Sequence, residues 1–252
     1  MKIQSTFNKK GITLIELLIA LVIATITLAG VYRVFISQTK TYAVQDQVVE
    51  VQQSVRSAMD IILRDLRMTG FDDDNPTSAI NIPIPIGTTL TGLFDNRITM
   101  NYEYCNKTNP LNPIYEKHTV VYWVDANSNL RRKRVINDNG THFSPATPYT
   151  ICHDPAQAGS TQCPETILQN VNTLNFAYGI DNNMDQVMDD QNGDGIINAA
   201  DYVASGAVGT ARVVAIRVTL TGGPSPTNVD VAKIVSPRTL VSAVTLRNIC
   251  LR

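Results

Sequence analysis

Residues 9–30 read KKGITLIELLIALVIATITLAG: two lysines and a glycine, then an apolar run with one carboxylate, Glu16, near its start. A charge at the centre of a membrane helix costs about 2.5–3.5 kcal/mol on insertion scales, so a carboxylate inside an apolar helix asks for a function. Glu16 lies four residues after Ile12, one helical turn along. A cut between Gly11 and Ile12 would leave a new amine near that carboxylate. A secretory signal peptide would have a shorter apolar core with a small-residue cleavage site behind it; here the apolar core runs on without one. A plain membrane anchor needs about 20 apolar residues. Leu17 to Tyr32 supplies 16 before Arg33 interrupts, and an anchor alone leaves Glu16 unexplained.

The helix is expected to run well past the apolar core, because no proline occurs before Pro76. Val44, Val48, Val51, Val55, Met59, Ile62 and Leu66 recur every three or four residues, which is one apolar stripe. Gly70 is the expected stop, and Gly30 is the one weak point inside. Residues 72–96 carry turn and proline signals. Strands are then expected at 97–104, 118–124, 129–136, 173–179, 211–220 and 238–247, several of them alternating as half-buried antiparallel strands do. The DANS between the second and third is a hairpin signal. The predicted fold class is α+β: a long N-terminal helix whose second half packs on a mostly antiparallel β-sheet head. No internal repeat is read.

The 252 residues suit one medium domain plus a helical stalk. Removing residues 1–11 takes away three lysines and moves the net charge from −1 to −4. That excludes a bulk polyanion-binding charge. The basic run Arg131–Arg134 is read as a solvated edge strand, with a nucleic-acid patch as the weaker alternative. Cys105, Cys152, Cys163 and Cys250 are even in number, which in an exported chain makes disulfides the expected state, with three pairings open. A metal site from Cys152, His153 and Cys163 is the rival. No phosphate loop, HExxH or nucleophile elbow is present, and no enzyme is expected.

One stretch has ligand chemistry. Residues 190–201 read DQNGDGIINAAD. An EF-hand-type loop takes oxygen ligands at positions 1, 3, 5, 7, 9 and 12, with glycine at 6. Counted from Asp190, these are Asp190, Asn192, Asp194, the Ile196 carbonyl, Asn198 and Asp201, and Gly195 falls at position 6. The stretch resembles dockerin-type calcium loops, and a structural Ca²⁺ is expected there. Ile197, at position 8, is expected to pin the loop to the core. Asp185 and Asp189 could add ligands from upstream.

The KKG-ITLIE pattern resembles the leader and N-terminal helix of type IV pilins and type II secretion pseudopilins. The resemblance implies cleavage by a prepilin peptidase between Gly11 and Ile12, N-methylation of Ile12, and a role for Glu16 in docking into a filament. Ile12 stands where most members begin with Phe. Residues 56–71 (RSAMDIILRDLRMTGF), 174–183 (LNFAYGIDNN) and the end RTLVSAVTLRN resemble PilW-like minor pilins and J-type pseudopilins. The implied organisation is a leader at 1–11, a transmembrane or filament-core half-helix at 12–36, an amphipathic half-helix at 37–70 and a head at 71–252. The implied partners are other minor pilins, the major pilin and the inner-membrane assembly platform. The implied location is a single pass through the inner membrane with a periplasmic head, then the pilus at the cell surface. A J-type pseudopilin, or a tip adhesin or DNA-uptake subunit, is the alternative role.

Overall fold

The computed structural model describes residues 12–71, 94–106, 114–138, 149–150, 164–224 and 234–246. The chain divides into two compact units, Met1–Asp46 and Gln47–Arg252. The described part of the first unit is almost wholly helix. Helix α1 starts at Leu14 and ends at Met68, passing through Gly30 without a break. Apolar side chains from Ile12 to Ile36 lie exposed on it. Thr25 and Thr27 turn their hydroxyls inward onto the carbonyls of Val22 and Ile23, both at 2.8 Å. Each hydroxyl is thereby satisfied without water, as an apolar environment requires. The segment is long and apolar enough to cross a membrane.

In the second unit the expected stripe does its work. Val51, Val55, Ala58, Met59, Ile62, Leu63 and Leu66 are buried in the same cluster as side chains from both β-sheets. The helix stops where glycine can take the left-handed conformation. Gly70 has φ +74°, and its N–H bonds the Asn101 carbonyl at 2.9 Å.

The strands are β1 (Arg97–Asn106), β2 (Ile114–Val124), β3 (Leu130–Asp138), β4 (Tyr149–Thr150), β5 (Glu165–Leu168), β6 (Val171–Asp181), β7 (Arg212–Gly222) and β8 (Arg238–Thr245). They form two antiparallel sheets. One runs β1-β2-β3-β4 with β5 also on β3; the other runs β6-β7-β8. The six expected strands are present, and the short β4 and β5 are additions. Ile98, Met100, Val120, Tyr122 and Leu130 form the inward face of the first sheet. Phe176, Tyr178, Ile216, Val218 and Leu220 do so in the second. The segment just before β1 ties to the second sheet: Phe176 N–H donates to the Asp95 carbonyl at 2.7 Å, and the Tyr178 hydroxyl to the Phe94 carbonyl at 2.9 Å. Gly222 lets the helix approach, since a Cβ there would come within 2.6 Å of Val55 Cγ2.

The β2–β3 hairpin turns as its DANS signal requires. Asp125 Oδ1 accepts the N–H groups of Asn127 and Asn129, both at 2.9 Å, and Ser128 takes φ +58°. The basic run corrects the edge-strand reading. β3 is interior, with β2 on one side and β4 and β5 on the other. Its charges are tolerated because the fold partners them. Arg132 Nε donates to Asp65 Oδ2 at 2.9 Å, and its Nη1 reaches Glu165 at 3.2 Å. Tyr122 Oη donates to the same Asp65 oxygen at 2.6 Å. Asp65 is a buried carboxylate in the helix's last turns, so this network locks α1 onto the first sheet.

Candidate functional site

Two parts of the chain carry the candidate chemistry. At the start of α1, Thr13 acts as the N-cap: its Oγ1 accepts the Glu16 N–H at 3.4 Å, and its carbonyl accepts the Leu17 N–H at 3.2 Å. Glu16 sits exposed in the first helical turn, where a carboxylate meets the positive end of the helix dipole. Thr13-x-x-Glu16 therefore also has the spacing of a capping box, a signal beside the family one. Ile12 is described and 76% exposed; Gly11 lies outside the described residues.

The second part is the connection from β6 to β7. Loop 190–201 folds on its own carboxylates. Asp190 Oδ1 accepts the Gly193 N–H at 2.7 Å and Oδ2 the Gly195 N–H at 2.6 Å. The Gly195 bond is the main reason the Asp190 carboxyl is held below its ordinary range. Asn192 Oδ1 accepts from Asp194 N, and Asp194 Oδ1 accepts from Ile196 N. Asp201 is fully buried and closes the loop. It takes N–H bonds from Gln191 and Asn192 on one oxygen and from Asn198 on the other. Asn198 and Asp201 form a reciprocal capping box over the 3-10 turn Ala199–Asp201. The six expected residues thus lie in one self-bonded loop. Asp194 Oδ2 is approached by two side-chain amides, Asn192 Nδ2 at 3.0 Å and Asn198 Nδ2 at 3.2 Å; the latter also reaches the Ile196 carbonyl at 3.0 Å. Among the described residues, no three acidic, histidine or cysteine side chains gather as a metal cage. Ile197 corrects its expected role: it is 50% exposed and anchors nothing to the core. The loop is held instead through backbone just beyond it. Val203 and Tyr178 exchange N–H···O bonds at 2.8 and 2.9 Å, and Asp95 Oδ1 accepts the Ser205 N–H at 2.8 Å.

The structure also reveals a repeat that the sequence reading missed. Nine residues upstream, Asp181 Oδ1 accepts the Met184 N–H at 2.7 Å and Oδ2 the Gln186 N–H at 3.0 Å. Asn183 Oδ1 accepts from Asp185 N, and Asp185 Oδ1 from Val187 N. These are the bonds of the 190–201 loop shifted by nine positions. The backbone repeats as well: Met184 and Gln186 have φ +65° and +73°, where Gly193 and Gly195 have +73° and +80°. The sequence signal is D-x-N-x-D-x-aliphatic-x-D/N, twice, at 181–189 and 190–198. It was hidden because the first copy lacks both glycines. Asp185 and Asp189 belong to this first loop, Asp189 accepting from the Asn182 backbone and amide.

The prokaryotic N-terminal methylation motif matches residues 6–32 of the chain. The match supports a type IV pilin-like, prepilin-type protein. The motif and the apolar helix together fit a single-pass, membrane-anchored pilin. No curated protein and no solved structure matches the chain.

The other residues expected from the sequence fall as follows. Cys152, Cys163, Cys250 and His153 lie outside the described residues, and Cys105 is described only as backbone of β1 opposite Tyr115. In the basic run, Arg131 donates to Asp125 at 2.6 Å and to Thr166 at 2.6 Å, and Arg134 donates to His118 Nδ1 at 2.9 Å. With Arg132 on Asp65, three guanidiniums of the run already serve partners inside the fold. His118 stacks on Tyr102, 4.9 Å between ring centroids. Burial first, and then the Arg134 charge, push its pKa down to about 3.

Proposed function

We propose that this chain is a PilW-like minor pilin, cleaved between Gly11 and Ile12 by a prepilin peptidase and methylated at Ile12. The observation that carries the reading is the methylation motif placed on the exposed, apolar start of a helix whose later turns form the core of a β-rich head. In that reading the leaderless helix leaves the inner membrane for a bundle of related helices. Other minor pilins and the major pilin are the partners, the assembly platform drives the exchange, and the complex primes the pilus and sits at its tip. Glu16 is the one carboxylate of the apolar segment, so burial among helices leaves it in need of a cationic partner such as a neighbour's N-terminal amine.

The reading includes a structural Ca²⁺ in loop 190–201. The donor set is all oxygen: three carboxylates, two side-chain amides and the Ile196 carbonyl, which suits a hard cation. Asp190, Asn192, Asp194, Ile196, Asn198 and Asp201 would hold it. The ion would supply charge neutralisation for Asp190, Asp194 and Asp201 and would fix the loop between β6 and β7.

The assembly role is tested with Glu16→Gln, which removes the charge and keeps the side chain's size. Its cost to the helix start is small, about 0.3–1 kcal/mol. Membrane insertion of the variant is expected to match wild type, while its content in sheared surface filaments falls severalfold. Wild-type incorporation of the variant would remove the docking role.

A further inference from the structure

Outside α1 and the Ile12 that precedes it, the large apolar side chains exposed among the described residues are Phe94, Met184, Val187, Ile196, Ile197, Ile234 and Val241. Four of these fall between 184 and 197, on the tandem loops, so the exposure is concentrated there and not scattered. Met184 is 58% exposed, Val187 59%, Ile196 66% and Ile197 50%. Aliphatic side chains left in water on two successive self-bonded loops offer a contact surface. The loops also fix how these side chains are offered. Val187 and Ile196 hold equivalent positions in the two copies, and each N–H is tied at 2.8 Å to the carboxylate two residues before it, Asp185 or Asp194. A partner therefore meets side chains on backbone that is already ordered.

The charge around these side chains decides the occupant. Between 181 and 201 there are six aspartates and no lysine or arginine. Asp185 and Asp194 are the exposed pair, and the second oxygen of each touches side-chain amides, Asn183 Nδ2 on Asp185 and Asn192 and Asn198 Nδ2 on Asp194. Those contacts can be exchanged for a charged donor without unmaking a backbone bond. Each copy thus presents an accessible carboxylate two residues before an exposed aliphatic side chain.

We propose that the tandem loops are a docking surface for a cationic protein segment that alternates lysine or arginine with aliphatic side chains. An anionic membrane surface would be repelled by the carboxylates, and a wholly apolar partner would bury them unpaired. The inference stands on exposure and charge and concerns the metal-free loops, since a Ca²⁺ held by Asp194 would compete with the cationic segment for that carboxylate.

The test uses the full-length chain in non-ionic detergent with EDTA present, and fluorescence anisotropy of a labelled ten-residue peptide alternating lysine and valine. Matched lysine–serine and glutamate–valine peptides are the controls. Two variants carry the comparison: Ile196→Ser with Ile197→Ser, and Asp185→Asn with Asp194→Asn. All four positions are exposed, and circular dichroism checks that both variants keep the wild-type fold. Wild type is expected to bind the lysine–valine peptide at least tenfold more tightly than either variant does, and more tightly than it binds either control. The proposal is overturned if wild type ignores that peptide, if the variants bind it equally, or if the lysine–serine peptide binds as well. Preferential capture of anionic vesicles over the peptide would overturn it in favour of a membrane contact.

Discussion

His118 shows how one residue's surroundings fix its chemistry. It is 1% exposed, stacked on Tyr102, and accepts a hydrogen bond from Arg134 through Nδ1, so the neutral ring is the form the fold accommodates. Its pKa is about 3 in the folded chain against an ordinary 6.5. The unfolded chain binds the extra proton between those values, so stability is full above pH 6.5 and is lost as pH falls towards 3. The slope from this group alone is at most about 1.4 kcal/mol per pH unit. His118→Gln is expected to flatten the fall in unfolding free energy between pH 6.5 and 4.5 relative to wild type, measured by urea titration at each pH. An unchanged slope would show that other groups set it. Gln186 makes the opposite case, a residue standing where its backbone prefers glycine. The left-handed conformation costs a non-glycine residue about 1–2 kcal/mol, and glycine's extra chain entropy returns about 0.5–1 kcal/mol of that. Gln186→Gly keeps the N–H bond to Asp181 and is expected to raise stability by roughly 0.5–1 kcal/mol, read from the urea midpoint.

The elements divide into those whose sequence states their partner and those whose sequence does not. The stripe from Val51 to Leu66 was legible because a helix burying one face repeats its apolar residues every turn. The β2–β3 hairpin was legible because Asp125 and Ser128 supply a turn's chemistry locally. The interior place of β3 was not legible. Its four consecutive basic residues read as solvated, and the acceptors that make burial tolerable, Asp65 and Glu165, are 67 and 33 residues away from Arg132. The first tandem loop was missed for a local reason: its turns rest on Asp181 and Asn183 bonds with Met184 and Gln186 in glycine's places. For loop 190–201, the calcium reading predicts a higher melting temperature of the full-length chain with Ca²⁺ than with EGTA. A hundredfold excess over Kd corresponds to about 2.7 kcal/mol. Magnesium should substitute poorly, because it demands tight octahedral geometry, and Asp194→Ala should lose the response. Equal melting with Ca²⁺ and EGTA would leave an ordinary acidic turn.

For the whole molecule, the α+β architecture follows from patterns of period 3.6 and 2 that the sequence states openly. The separation of the strands into two sheets does not, because it depends on contacts distant in sequence, such as Asp95, ahead of β1, accepting the N–H of Phe176 in β6. In the proposed reading assembly belongs to the first unit, where Ile12 to Ile36 expose apolar side chains that lipid or other helices would cover. In that reading processing comes first, since the docking role given to Glu16 needs a neighbour's free N-terminal amine. Intact mass spectrometry of the protein purified from the membrane of its native host tests this most directly. The account predicts an N-terminus at Ile12 carrying one methyl group. A chain that still begins at Met1, or one cut anywhere other than between Gly11 and Ile12, would contradict it.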